Sequence, residues 1–112
     1  MKHIHFSEDF TKLQNRQFTT IRDHNKKLRL EETVRIISPS HDFLAEVVGM
    51  EKAKLVHIDY KLLLTDLGFE TVKTMREAEP LILETMRKFY PDITWDTIVF
   101  VYIFRAKKSR GG

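Results

Sequence analysis

The longest apolar run of the chain lies near its C-terminus, from Thr97 to Phe104, and consists almost entirely of β-branched and aromatic residues. Such a run is typical of a β-strand and is too apolar for a strand at the wet edge of a sheet. We therefore predict a central strand over 97–104 that pairs on both sides. The rest of the chain has to supply its neighbours.

Shorter segments with β-type alternation predict those neighbours. They cover residues 3–6, 18–22, 33–37 and 43–50, and residues 53–58 either continue the last of these or form a fifth strand. Gly49 is expected to mark a bend or bulge. Ser7 resembles the N-cap of a short helix whose inward residues are Phe10 and Leu13.

Helical signals fall between residue 59 and the last strand. Asp59 is predicted to cap a helix that stops at Gly68. A second helix is predicted to open at Thr71, and Pro80 is expected to break or restart it near Glu79, because proline does not suit a helix interior. The fold class is therefore α+β, with five or six strands and two or three helices. A small, partly closed β-barrel with helices at its mouth fits this order, and an open sheet is the alternative.

Length and composition bound the function without naming it. The 112 residues suffice for one domain with a single core. The absence of cysteine excludes disulfides, thiolate zinc sites and cysteine nucleophiles. No apolar run approaches the roughly 20 residues of a membrane-spanning helix, and the N-terminus lacks the apolar stretch of a secretory signal. We expect a cytoplasmic monomer that uses no cofactor or metal.

The net charge of +3 is distributed unevenly. The last eight residues hold four basic and no acidic side chains, so 15 basic and 16 acidic residues remain in the rest of the chain. A second basic stretch, residues 12–29, holds six lysines and arginines against Asp23 alone. The two stretches make a phosphate-binding patch if the fold brings them together, and otherwise form solvated loops. We predict a domain over 1–105 and a disordered basic tail over 106–112.

Residues 15–23, with Thr20 and Arg22 two apart on a predicted strand, resemble the opening motif of ASCH domains, the small relatives of the PUA domain. The resemblance spans roughly residues 3 to 105. Further similar segments are the strands 34–37 and 45–48, the helix end Gly68-Phe69, the turn Phe89-Tyr90-Pro91 and the final strand ending at Ile103-Phe104. It implies a PUA-like β-barrel with a cleft beside the Thr-x-Arg strand.

The resemblance implies that this cleft binds RNA or a nucleotide-like ligand. The residues expected to line it are Gln17, Thr19, Thr20 and Arg22, with Asp66 as the acidic member. Lys26, Lys27 and Arg29 are expected on its rim, where they meet phosphate. The guanidinium fork of Arg22 suits phosphate or carboxylate.

The same family implies an alternative, because a subset of ASCH domains are amidohydrolases that remove the acetyl group of N4-acetylcytidine with a lysine, a threonine and a glutamate. The threonine falls on Thr20, but the lysine position holds Gln17 and the glutamate position holds Leu67, with Asp66 beside it. A glutamine amide cannot act as the base that a threonine nucleophile needs. Catalysis would then require Asp66 and another lysine, from the nearest candidates Lys12, Lys26 and Lys27.

A third possibility is a protein-interaction module, because ASCH domains also occur attached to transcriptional coactivators.

Among the aromatic residues, we expect Phe89 and Tyr102 in the core, from their places on an apolar helix face and an apolar strand. Trp95, in a polar loop, is retained as a possible stacking platform for a base.

Overall fold

The computed structural model of the chain describes residues 1–69 and 74–107, which form one mixed sheet, two α-helices and two short 3-10 helices. The strands are β1 (His3–His5), β2 (Gln17–Arg22), β3 (Thr33–Ile37), β4 (Asp42–Lys54) and β5 (Ile98–Ala106). The helices are α1 (Tyr60–Leu67) and α2 (Met75–Arg87), with 3-10 turns at Thr11–Gln14 and Leu55–His57.

The strand order in the sheet is β1-β3-β4-β5-β2. Among the strand pairs within residues 1–69 and 74–107, only β1–β3 is parallel. The sheet forms a half-barrel with β1 and β2 at its two edges, which confirms the α+β class. As predicted, β5 pairs on both sides, with β4 and with β2.

The residues of β5 alternate between two hydrophobic cores. Tyr102 and Phe104 enter the barrel core, inside the curved sheet, together with residues of β1 to β4. Val99 and Val101 enter the helix-side core, which α1 and α2 cover. An apolar run is needed here because both faces of β5 are buried along its middle, at Val99, Val101, Tyr102 and Phe104.

The proposed fifth strand over 53–58 does not form, because β4 continues to Lys54 and is followed by the 3-10 turn. The pairing between β4 and β5 shifts register between Val47 and Gly49, so the expected irregularity at Gly49 is present. A Cβ at Gly49 would lie 2.9 Å from Cδ1 of Ile103. A side chain at this point would therefore displace the Ile103 side chain, which glycine avoids.

The predicted boundaries of α1 are confirmed. The Asp59 carboxylate accepts a hydrogen bond from the Lys61 N–H at 2.9 Å, and Gly68 ends the helix with a left-handed φ of 86°. Glycine adopts this conformation without the steric penalty that a Cβ brings.

The prediction of a break at Pro80 was wrong, because Pro80 lies inside the continuous helix α2. A proline removes one backbone hydrogen bond, and the buried Ile82 and Met86 on the following turns anchor the helix in the helix-side core. The side chain of Thr74 caps α2 by accepting from the Glu77 N–H at 3.3 Å. The predicted start at Thr71 lies outside the described residues.

The helix predicted after Ser7 is shorter than expected. The backbone stays extended at Phe10, and only the 3-10 turn Thr11–Gln14 follows. Leu13 is buried as predicted and Phe10 packs against the barrel core.

The last strand extends past the predicted domain end. Ala106 belongs to β5, and the Lys107 N–H donates to the Leu44 carbonyl at 2.9 Å. The remaining predicted tail, 108–112, lies outside the described residues. Within the part of the chain that the structure describes, no helix is long and apolar enough to span a membrane.

Candidate functional site

A cleft of about 510 Å³ opens between the two edge strands of the half-barrel. Residues following β1 and the 3-10 turn Thr11–Gln14 form one wall, β2 forms the floor, and the ends of α1 and α2 close the other side. The side chains that carry its chemistry are His5, Phe6, Phe10, Lys12, Thr20, Arg22, Asp66, Lys88, Phe89 and Tyr90. The cleft therefore lies beside the strand that carries Thr20 and Arg22, the position that the resemblance to ASCH domains implies.

Arg22, the last residue of β2, is fixed at this opening by two hydrogen bonds. Its Nε donates to the Thr20 hydroxyl oxygen at 3.0 Å, and its Nη2 donates to the His5 carbonyl oxygen at 3.0 Å. The guanidinium also lies 5.1 Å from the centre of the Phe6 ring. Because the fork is held from two strands, its remaining N–H groups are pre-organised for an anionic ligand.

A buried ion pair lies deeper in the cleft. Lys12 Nζ and Asp66 Oδ1 are 2.8 Å apart, and the two side chains are only 14% and 5% exposed. The Thr19 hydroxyl also donates to Asp66 Oδ1, at 2.5 Å. The Lys12 ammonium lies 5.3 Å and 5.4 Å from the ring centres of Phe6 and Phe10. These contacts supply the desolvated carboxylate and ammonium with partners.

The structure assigns different roles to the two neighbouring threonines. Thr20 is 3% exposed and its hydroxyl oxygen accepts from Arg22, whereas Thr19 binds Asp66. Their side chains point to opposite faces of β2, as strand geometry requires. Thr20 and Asp66 both line the cleft, but the hydroxyl that Asp66 holds is that of Thr19.

Aromatic rings form the apolar wall of the cleft. Phe10 meets Phe89 edge to face, with ring centres 6.1 Å apart. Phe89 is 38% exposed and lines the cleft, so its predicted place in the core was wrong. Burial raises the pKa of the Tyr90 hydroxyl above its ordinary value, and the nearby charge of Arg22 opposes this rise. Rings and cations together suit a planar ligand that carries negative charge.

The other two aromatic predictions concern residues away from the cleft. Tyr102 is buried in the barrel core as predicted, and its hydroxyl donates to the Asn25 side chain at 3.1 Å. Trp95 packs against the helix-side core.

Five of the predicted binding residues do not line the cleft, and Thr19, on the opposite face of β2 from Thr20, is one of them. Gln17 is exposed at the start of β2, and the Lys26 N–H donates to the Tyr102 hydroxyl at 2.9 Å. Lys27 and Arg29 line a separate shallow depression of about 590 Å³ together with Lys2, Leu30, Glu31 and Glu32. This depression mixes acidic and basic side chains, and the structure does not bring it together with Arg22 in one pocket.

Several cleft residues were not assigned to the site from sequence. The sequence indicates Lys12 only as a substitute lysine, and it predicts a strand for His5 and Phe6 and a core position for Phe10. Alternation marks which residues of a strand share a face, but it does not reveal that β1 and β2 face each other across an opening. The one available signal is the basic stretch 12–29, which contains both Lys12 and Arg22. Among the residues that the structure describes, no three His, Asp or Glu side chains are placed to hold a metal ion.

Comparison with curated proteins finds a relative in the archaeon Methanocaldococcus jannaschii, Uncharacterized protein MJ0364. The two sequences are 38% identical over 88 residues, which cover 73% of this chain and 77% of the archaeal protein. No protein-family model matches the chain. No solved structure matches it either.

Proposed function

We propose that this chain, which belongs to the same family as the Methanocaldococcus jannaschii protein, is a PUA-like ASCH domain whose cleft binds a nucleotide unit of RNA. The observation that carries the proposal is the Arg22 guanidinium, held beside an aromatic wall by Thr20 and the His5 carbonyl. The resemblance of residues 15–23 to the ASCH motif supports the same conclusion.

The size of the cleft supports a ligand of nucleotide dimensions. Its volume of about 510 Å³ falls within the range of roughly 300–1,000 Å³ that is usual for small-molecule sites. The rings of Phe10 and Phe89 offer a wall against which a base can pack.

The charges of the cleft support an anionic group on that ligand. Asp66 is already bound to Lys12 and Thr19, so its charge is balanced within the protein. Arg22 and Lys88 then provide the positive charge of the cleft lining. A phosphate placed at Arg22 would accept two hydrogen bonds from the fork.

Titration of isotope-labelled protein with uridine 5′-monophosphate and with uridine tests the proposal by NMR. We expect saturable shifts at Thr20 and Arg22, and tighter binding of the monophosphate. Hydrogen bonds to charged groups contribute about 1.5–3 kcal/mol, so Arg22→Ala is expected to weaken monophosphate binding about ten- to 150-fold. Arg76→Ala, at an exposed position of α2, is the matched control. Unchanged affinity in Arg22→Ala, with the fold retained, would remove the cleft from the account.

A second candidate function is deacetylation of N4-acetylcytidine. It is favoured by one observation, that Lys12, Asp66 and Thr20 line the same cleft although the motif position holds Gln17. Binding is the better-supported function, because Asp66 is hydrogen-bonded to Thr19 instead of Thr20, and the Thr20 oxygen is held by Arg22. A nucleophilic hydroxyl needs a base that accepts its proton.

Acetate release from N4-acetylcytidine decides between the two candidates. If the enzyme reading holds, Thr20→Ala abolishes turnover while nucleoside binding persists, and Lys12→Gln also lowers turnover. Absence of turnover in the wild-type protein, with uridine monophosphate still bound, would leave binding as the function.

A further inference from the structure

A row of three side chains crosses the sheet on the face opposite the helix-side core. In the strand register, Arg22 of β2 lies opposite Phe100 of β5, and Phe100 lies opposite Lys52 of β4. Cross-strand partners point to the same face, and neighbouring strands are about 4.8 Å apart. Lys52 Nζ lies 5.7 Å from the centre of the Phe100 ring, and Phe100 is partly buried where it packs against the barrel core. The Arg22 guanidinium lies farther along the row, beside Phe6.

The neighbouring rows continue this surface. Lys54 lies opposite Ile98, and Met50 lies opposite Tyr102. Met50 and Ile98 are 46% and 47% exposed, although both are large apolar residues. The Phe100 face is thus made of Arg22, Met50, Lys52, Lys54, Ile98 and Phe100.

The Phe100 face is positively charged. Glu51 lies opposite Val101, which belongs to the helix-side core, so its side chain is on the other face. The six residues of the Phe100 face include three cations and no carboxylate. Exposed apolar surface alone would suit a protein partner. Protein–protein interfaces are usually depleted in lysine at their centre, however, and this face carries two lysines. An aromatic ring in contact with a lysine, on a face with two further cations, suits a chain of bases and phosphates better.

We propose that the Phe100 face binds single-stranded RNA, with a base stacked on Phe100 and the backbone phosphates held by Arg22, Lys52 and Lys54. Stacking on aromatic rings beside a basic track is how single strands are held without a sequence preference. This inference goes beyond the proposed cleft, because the Phe100 face is a second binding surface beside it on the sheet. Arg22 lies at the boundary of both surfaces, so one strand can run from the cleft onto the Phe100 face.

Fluorescence anisotropy with a labelled oligouridine of about ten nucleotides, measured at salt concentrations from roughly 50 to 200 mM, tests the two lysines. Each phosphate contact to a single strand contributes about −0.7 to the slope of log affinity against log salt. We expect the double variant Lys52→Gln, Lys54→Gln to have a slope that is less negative by about 1.4. Lys61→Gln, on the exposed side of α1, is the matched control and is expected to keep the wild-type slope.

Phe100→Leu tests stacking, because leucine keeps an apolar side chain at the barrel core but has no ring. Loss of stacking on one base, roughly 1–3 kcal/mol, corresponds to a five- to 150-fold loss of oligouridine affinity. Thermal unfolding shows whether the variant is folded. Uridine monophosphate affinity, which reports the cleft, is expected to stay unchanged.

Two results would overturn the proposal. The first is wild-type oligouridine affinity and salt slope in both the double lysine variant and Phe100→Leu, with each variant folded. The second is no binding of oligouridine by the wild-type protein, which would favour a protein partner for this face. Loss of uridine monophosphate binding alone, with oligouridine binding still dependent on Lys52 and Lys54, would instead overturn only the cleft.

Discussion

Replacing Lys12 with methionine tests whether the buried ion pair supports the fold of the cleft. The variant keeps a long apolar stem against the rings of Phe6 and Phe10 but removes the charge that faces Asp66. The carboxylate, in a side chain only 5% exposed, then keeps one neutral partner, the Thr19 hydroxyl.

The expected loss in the free energy of unfolding follows from this geometry. Removing one partner of a buried ion pair lowers the free energy of unfolding by about 3–5 kcal/mol. The lower end applies here, because Thr19 still donates and the cleft admits water. We expect a loss of about 3 kcal/mol, including a contribution from the two cation–ring contacts.

Urea unfolding at pH 7 measures this loss. With a slope of about 1.5 kcal/mol per molar urea, 3 kcal/mol lowers the midpoint by about 2 M. The double variant Lys12→Met, Asp66→Leu is expected to recover most of the stability, because a buried pair can often be replaced by apolar residues without loss. A loss below about 1 kcal/mol in Lys12→Met, or a double variant in which both losses simply add, would refute the reasoning.

Three further predictions concern the frame around the cleft. Gly49→Ala is expected to lower the free energy of unfolding by about 1–2 kcal/mol, because its Cβ meets Ile103; adding Ile103→Val should relieve part of the loss in the same urea experiment. Gly68→Ala should lower it by about 1 kcal/mol through backbone strain alone, since no atom lies within 4 Å of the new Cβ, and an equal or higher midpoint would contradict this. Hydrogen bonds from Ser38 and the Ser40 N–H hold the pKa of Asp9 well below its usual range, so its stabilising effect is present above the ordinary pKa and is lost as the pH falls through the lowered one. Asp9→Asn should therefore melt below the wild type at pH 7, and the gap in Tm should begin to close below about pH 4; a gap that does not change with pH would exclude the carboxylate as its source.

The strands of the sheet were largely predictable, because each carries a local pattern. Residues 33–37 were predicted with the bounds that β3 has, and the double pairing of β5 follows from its apolar run. The extent of β4 was not predictable in the same way. Its outer half carries Glu51 and two lysines, and it stays in the sheet because β5 pairs with it beyond the bulge.

The cleft was predictable only in part, because it is assembled from distant segments. Thr20, Arg22 and Asp66 were expected there and line it. Lys12 was one of three candidate lysines, and only the fold selects it by placing the 3-10 turn over α1. Lys27, only five residues from Arg22, lines a different depression, since closeness in sequence does not fix the direction of a loop.

The opening that forms the cleft also leaves the two edge strands of the half-barrel unpaired. The residues that line the cleft also fill the gap between these strands. Edge strands expose backbone groups that invite pairing with another chain. Here Arg22, at the end of one edge strand, donates to the His5 carbonyl of the other, so a charged side chain occupies the gap that further pairing would need. Lys12 and Asp66 fill the deeper part of the gap with an ion pair where an apolar contact would close the barrel. Stability alone would favour closing the barrel with apolar side chains, because a buried ion pair adds little to it. Stability alone therefore does not account for the polar opening between β1 and β2, which supports the proposed ligand site there.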